Sequence, residues 1–512
     1  MKTRLLALCC SVCVLATATA AFGQTTYDTT GTTTITSATT TAGINLGVSN
    51  PDVTVTVDGN LGGSLTNTAT ITLGNVTPAT GAALIINNAP WLQSIGSGQN
   101  VNLSGTNASI TLQNGAALTT TGTGATFYLG SNANNSSNVP SSFTITGAGT
   151  SFTNGNSSQY ANMWFGGHHT FTVSNGGTYT STRSGYSFQL TGRAGVWKTD
   201  NNALIVTGAN STFNVNGFLR VSYDDNLNNS VTVSAGGVMN TVGANIGKLA
   251  GAIGNSATVT GSGSAWNLGG GAIDLGNNAG ATDNSLNIRN GGALNNVGAI
   301  TMNGTNNNFN LGDGNARSTA TLNSIALGTS GAALNINNGK LTFLAAGIAS
   351  ITGSGTVNLQ GPAYFSVGGT NSIDVAISGL GSLTKEGIGS LTLSGLNTYS
   401  GDTSVLAGTL SISAASLNDL ADVYLYTASI FNLAYASTDT IRSFFIDGVA
   451  QDAGIWGSLG SGVAHETSRL TGSGLLNVTT APVPEPGTLV LLFTGLAFAG
   501  FNWRKRLASS RN

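Results

Sequence analysis

Charge is what this sequence has least of. Asp, Glu, Lys and Arg make up 7% of its 512 residues, against about 25% in an ordinary soluble domain. Six of the 17 basic residues lie at the two ends: Lys2, Arg4, Arg504, Lys505, Arg506 and Arg511. The body between them holds 11 basic and 18 acidic residues once Glu485 is set aside. A weakly acidic body without a basic stripe argues against nucleic acid as a partner. Cysteine is nearly as scarce. Cys9, Cys10 and Cys13 are the whole complement, and all precede the small-residue pattern Ala18-Thr19-Ala20. A chain cut there has no thiol, no disulfide and no thiolate metal site. No long stretch of the body shows helical spacing with caps.

What fills these gaps is glycine, at 73 positions, together with Asn, Thr, Ser and Ala, while apolar residues still reach 40%. Disorder combines low hydrophobicity with high net charge, so the balance points instead to a β structure with many turns. At the N-terminus, Lys2 and Arg4 precede the apolar run Leu5 to Ala16. This order reads as a secretory signal peptide over residues 1–20, cleaved after Ala20, with Ala18 as the other small residue and Ala21 as the alternative cleavage point, and makes signal peptidase a partner. A lipoprotein needs a small residue before its acceptor cysteine, but Leu8, Cys9 and Val12 stand there.

The body repeats itself. ITGAGTSF (145–152), VTGANSTF (206–213) and VTGSGSAW (259–266) are versions of one phrase. Each is followed by a second phrase: FTVSNGGTY (171–179), VTVSAGGVM (231–239) and LNIRNGGAL (286–294). The whole unit recurs after 60 residues (Gly176 to Gly236) and then 55 (Gly236 to Gly291), with subsidiary spacings near 25. Each phrase alternates apolar and polar residues and breaks at Asn-Gly or Gly-Gly, which predicts a short strand with one buried face followed by a turn. Regular short strands in a drifting long repeat favour stacked coils over a sandwich or propeller. The expected fold is all-β: a right-handed parallel β-helix (β-solenoid) over residues 21–378, with Ile145, Val206, Val233, Ile288 and Leu334 facing inward. Thr, Ser and Asn should face water, and stacked Asn and Thr can form hydrogen-bond ladders.

GSLTKEGIGSLTLSGLNTYSGDTSVLAGTL, from Gly381 to Leu410, closely resembles the autotransporter-associated β-strand repeat, assigned here to residues 379–410. Leu383, Leu391, Leu393, Val405 and Leu410 form the inward set, and Gly395, Gly401 and Gly408 turn the corners. Asp402 stands where a small residue is usual. The resemblance implies a secreted β-helical stalk and no chemistry. A membrane β-barrel needs roughly eight segments of about 10 residues plus connections, and residues 411–480 do not read that way. They are expected to form a small C-terminal cap, since a solenoid needs a polar end that stops further stacking.

The last segment, 481–512, joins Pro484, Glu485 and Pro486 to an apolar run from Thr488 to Trp503 and a basic cluster at Arg504, Lys505 and Arg506. It resembles the PEP-CTERM sorting signal. That likeness implies an exosortase-type enzyme as partner, transient anchoring in the inner membrane by a single hydrophobic helix, then transfer to the outer surface or extracellular matrix of a Gram-negative bacterium that makes exopolysaccharide. Sixteen helical residues span about 24 Å, short of the roughly 30 Å hydrocarbon core, with Arg504 and Lys505 snorkelling to make up the difference. The basic cluster keeps that end cytoplasmic and leaves the body outside; a plain single-span anchor that is retained is the alternative.

Some β-helices cleave polysaccharides, so carboxylates and histidines must be weighed. Asp224 and Asp225 adjoin Tyr223, but neighbours in a strand point to opposite faces and the surrounding Asn residues indicate a turn. His168 and His169 have no third ligand nearby, and His465-Glu466 reads as an exposed turn. Gly312 to Gly314 lacks the repeated phrase of calcium-binding nonapeptides. Trp164, Trp197 and Trp266, the largest residues of their phrases, are expected in the core rather than under a sugar. The reading is of a non-enzymatic surface or matrix protein without catalytic residues, cofactor or metal, acting in adhesion or biofilm structure and binding exopolysaccharide. A polysaccharide-active lyase or hydrolase on the same scaffold is the alternative.

Overall fold

The structure is a computed structural model that describes residues 24–480 apart from short internal stretches, the longest at 74–80, 130–139, 156–162 and 191–199. The signal-peptide residues Ala18 and Ala20, the tail with Pro484, Glu485, Pro486, Arg504, Lys505 and Arg506, and Asp224 and Trp197 lie outside the described residues, as does the side chain of Trp164.

The chain winds as a parallel β-solenoid with three faces. Each early coil contributes one strand to each face, as in Gln24–Tyr27, Gly31–Ile35 and Ala38–Thr41. The second face is a ladder of fourteen strands from Gly31–Ile35 to Ile377–Gly379. Strands about 4.8 Å apart make that stack on the order of 60 Å long. The third face runs from Ala38–Thr41 through Thr178–Ser181 and Val238–Asn240 to Ser443–Ile446. Two ten-residue strands, Ala293–Met302 and Ser318–Leu327, bend round a corner and join the third face to the first.

Alternation decides the interior. On the second face Ile110, Phe143, Phe171, Leu204 and Val231 stack in register, and Leu112, Ile145, Val173, Val206 and Val233 form the parallel column. All are buried, as are Ile288 and Leu334. A strand hydrogen-bonds its neighbours through the backbone, so stacking like on like gives each apolar side chain an equally apolar contact above and below. Between Phe143 and Phe213 the core is aromatic. Tyr179 and Phe213 stack at 4.8 Å, and Phe188 meets Phe213 edge-on at 4.8 Å.

The register explains the double phrase. Ile145 pairs with Val173, and Phe152 with Tyr179; the two phrases therefore occupy the same place in successive coils. Measured along the second face, a coil takes between 33 residues (Ser109 to Ser142) and 20 (Val357 to Ile377). The 55 to 60 residue unit is thus two coils that differ in turn chemistry.

Parallel coiling persists past Leu410. Strands Asp422–Leu425 and Ser429–Leu433 stack on Thr403–Val405 and Gly408–Ile412, and only then do antiparallel pairs appear. Val449–Ala450 folds back on Ser443–Ile446, and Gly454–Ser458 on Leu475–Val478. Reversal of strand direction ends the parallel ladder at this end of the described residues.

Candidate functional site

The corner between the second and third faces is built from two turn types in alternation. Three-residue turns occupy 114–116, 175–177, 235–237 and 290–292, and four-residue turns occupy 147–150, 208–211 and 261–264. In each three-residue turn the first two residues have positive φ: Asn114 and Gly115, Asn175 and Gly176, Ala235 and Gly236, Asn290 and Gly291. The last hydroxyl of a four-residue turn accepts the glycine N–H of the coil before it. Gly115 donates to Thr150 at 2.9 Å, Gly176 to Ser211 at 3.0 Å and Gly236 to Ser264 at 3.0 Å. A second glycine is imposed by contact, because a Cβ on Gly237 would sit 2.7 Å from the Val206 carbonyl oxygen.

Ala235 breaks this pattern. Its φ of 51° lies where three equivalent turns use Asn, and the left-handed region costs a Cβ-bearing residue roughly 1–2 kcal/mol, less for Asn. Ala235→Asn is expected to raise stability by about 0.5 kcal/mol, read as a higher urea midpoint with an unchanged m-value.

At the opposite end of the second-face strands, where the chain enters them from the first face, runs a buried asparagine ladder. Oδ1 of Asn229, Asn255, Asn284 and Asn307 accepts the backbone N–H of Asn202, Asn229, Asn255 and Asn284 in turn, at 2.9 to 3.1 Å. The amide N–H groups of Asn229, Asn255 and Asn284 reach the next Oδ1 at 3.0 to 3.2 Å. These asparagines are buried, a departure from the expectation that Asn faces water. The cause is the need of a buried turn backbone for partners of its own.

A second ladder lies on the outer side of the third face. Asn240 donates to Asn214 and Asn267 to Asn240, both at 2.7 Å, and Asn295 donates to Asn267 at 2.9 Å. It forms the wall of a surface groove of about 420 Å³, lined by Thr180, Asn214, Asn240 and Asn267 with Thr182, Asn216, Val242 and Gly269 where the chain leaves the third face. An amide has two donor hydrogens and two acceptor lone pairs; the ladder uses one of each on Asn240 and on Asn267. The groove thus sets the spare amide hydrogens and lone pairs of these residues beside an exposed lining that is mainly carbon. Its lining contains no group that titrates near neutrality, so it offers no general acid or base.

The groups raised by the sequence fall apart on inspection. His168 is a turn residue with φ of 66°. His169 is buried, its Nδ1 lies 2.7 Å from Ser141 Oγ, and its backbone N–H donates to Asn202, so it heads the buried ladder. Burial and the neighbouring His168 hold its imidazole down at about 3, which keeps it neutral. Asp225 lies against the turn at Gly251, and Arg220 covers the Tyr223 ring at 4.0 Å. Asp313 Oδ1 accepts the backbone N–H of Asn315 at 3.2 Å. Trp266 is in the core with its indole N–H on Thr241 Oγ1 at 3.0 Å. His465 stacks on Trp456 at 4.7 Å, and Glu466 accepts the N–H groups of Gly460 and Gly462 at 2.9 and 2.6 Å; those bonds lower its pKa. Among the described residues, no three His, Cys, Asp or Glu side chains gather as a metal site.

The stretch after Gly381 is a regular pair of coils. Leu383, Leu391, Leu393, Val405 and Leu410 are all buried. Gly408 has a φ of 65°, while a Cβ on Gly395 or Gly401 would strike the carbonyl oxygen of the coil beneath. Lys385 points inward, and its ammonium donates to the carbonyls of Gly387 at 2.7 Å, Ala407 at 2.8 Å and Glu386 at 3.3 Å. Its charge is thus spent on closing a corner, which sequence alone does not reveal. Asp402, the unusual residue, accepts the Asp422 N–H at 2.9 Å and ties one coil to the next. Residues 383–412 match the passenger-associated-transport-repeat family, and residues 482–506 match the PEP-CTERM protein-sorting motif. No curated protein matches the chain.

Proposed function

We propose that this exported, exosortase-sorted surface protein is a non-enzymatic stalk of the exopolysaccharide layer that serves adhesion or biofilm structure. The observation that carries the reading is the union of a sorting motif with a long parallel solenoid. A solenoid resists bending because every coil is hydrogen-bonded to the next, and a sorting motif gives such a rod a place to stand. The absence of catalytic chemistry is part of the proposal. It is supported by the engagement of the His169 imidazole with Ser141 and of Glu466 and Lys385 with backbone groups.

In this reading the tail anchors the chain in the inner membrane and is then cut near Pro484-Glu485-Pro486. Mass spectrometry of envelope-associated protein should find a C-terminus near those residues, and replacing all three with alanine should leave the protein in the inner-membrane fraction. Wild-type surface protein that still ends at Asn512 would falsify the processing step. Depolymerisation of a polysaccharide by the purified protein would overturn the non-enzymatic assignment in favour of a lyase or hydrolase.

A further inference from the structure

We propose that the outer side of the third face is a binding track for an uncharged polysaccharide laid along the solenoid axis, an inference that rests on the surface-stalk reading above. Two outward columns make up this side. One contains Thr119, Thr153, Thr180, Asn214, Asn240, Asn267 and Asn295 in register. The other runs unbroken from Ala117 to Thr319 and on through Lys340, Tyr364, Thr384, Ser404, Tyr424 and Phe445.

Charge identifies the class of ligand. Neither column has an ionisable group between Ala117 and Thr319. Farther on, Lys340 is paired with Glu386 at 2.6 Å, and Arg442 holds both carboxylate oxygens of Asp422 at 2.8 and 2.6 Å. A polyanion needs unspent cations in a row, and among the described residues of this side Arg317, over the Tyr364 ring at 3.7 Å, stands singly. A neutral polyol needs mixed donors and acceptors, and Asn214, Asn240 and Asn267 repeat them at the strand spacing of about 4.8 Å.

Shape identifies the direction. The groove follows the ladder across successive coils, so a chain lying in it runs parallel to the axis and meets equivalent groups at each step. Val242, 41% exposed, supplies an apolar side to that groove. At the far end of the same side, Tyr424 and Phe445 stack at 4.7 Å with 11° between their planes, both half-buried. The Tyr424 hydroxyl donates to Asp422, which also holds Arg442. The half-buried ring pair thus sets an apolar edge beside a fixed polar network, the two kinds of contact a pyranose offers.

The test is affinity electrophoresis of the exported protein in gels containing dextran, hydroxyethyl cellulose or alginate. Both neutral polymers should retard the wild type and alginate should not. Thr180→Arg fills the groove from an outward position and should weaken retardation about tenfold, and Tyr424→Ala should weaken it also. Thr172→Arg, outward on the second face, is the control for folding and added charge and should match the wild type. Retardation by neither neutral polymer, stronger retardation by alginate, or equal loss in Thr172→Arg and Thr180→Arg would each overturn the proposal. Accessibility of the same protein to protease on intact cells is scored separately. A surface-exposed protein that binds no glycan defeats this inference alone, whereas a protein absent from the surface defeats the stalk reading.

Discussion

Asn255→Asp is expected to destabilise the solenoid by about 4 kcal/mol at neutral pH, the scale of an uncompensated buried charge. The amide of Asn255 points its hydrogens at acceptors: Asn284 Oδ1 and the Asn226 carbonyl, both at 3.0 Å. Its Oδ1 receives the backbone and side-chain N–H groups of Asn229 at 2.9 and 3.2 Å. An aspartate keeps the second pair of bonds and turns the first into oxygen facing oxygen. Its folded pKa must therefore rise above the unfolded value. Between those two values the native state binds more protons than the unfolded one, so stability falls as pH rises and returns on acidification. Urea titrations of the variant at pH 4 and pH 7 should show that recovery, and a loss independent of pH would refute the ladder account. Because each coil touches only its neighbours, amide exchange should speed up first around residues 229–284 and leave the C-terminal coils protected.

Phe213→Ala is expected to cost about 4 kcal/mol for a different reason, the cavity left by a fully buried ring. Phe213 stacks on Tyr179 with 20° between planes and meets Phe171 at 6.3 Å. In a globular core such a hole can shrink as elements close in. Here strand spacing is fixed by backbone hydrogen bonds above and below, so collapse along the axis is prevented. Phe213→Leu, which restores most of the volume, should recover more than half of the loss in a denaturant melt. Equal destabilisation by both substitutions would show that the ring's geometry matters more than its bulk.

Much of this architecture was legible in the residues because its rules are local. Alternation in ITGAGTSF and FTVSNGGTY puts Ile145 and Val173 inside, and the Asn-Gly and Gly-Gly pairs mark the turns. The repeat at 383–412 was legible for the same reason: its leucines and glycines recur at coil spacing. What stayed hidden depends on register, a relation between residues some 25 apart that no local pattern encodes. Two phrases that read as halves of one long unit stack directly on one another. Asn202, Asn229, Asn255, Asn284 and Asn307 look like loop polarity, and unequal coil lengths disguise their alignment. The aromatic end of the third face was invisible too, since Tyr424 and Phe445 come together only through the pairing of Asp422–Leu425 with Ser443–Ile446.

The alternating corner also governs how such a rod can change in length. Its hydroxyls and glycines complement each other only between unlike turns: Thr150 serves Gly115, and Ser211 serves Gly176. Inserting or deleting a single coil would set two turns of one kind against each other and leave a glycine N–H without its hydroxyl. Adding or removing two coils would restore every partner. Within residues 114–292, growth by an even number of coils keeps every such partner, and the 55 to 60 residue period in the sequence is the smallest step that does so.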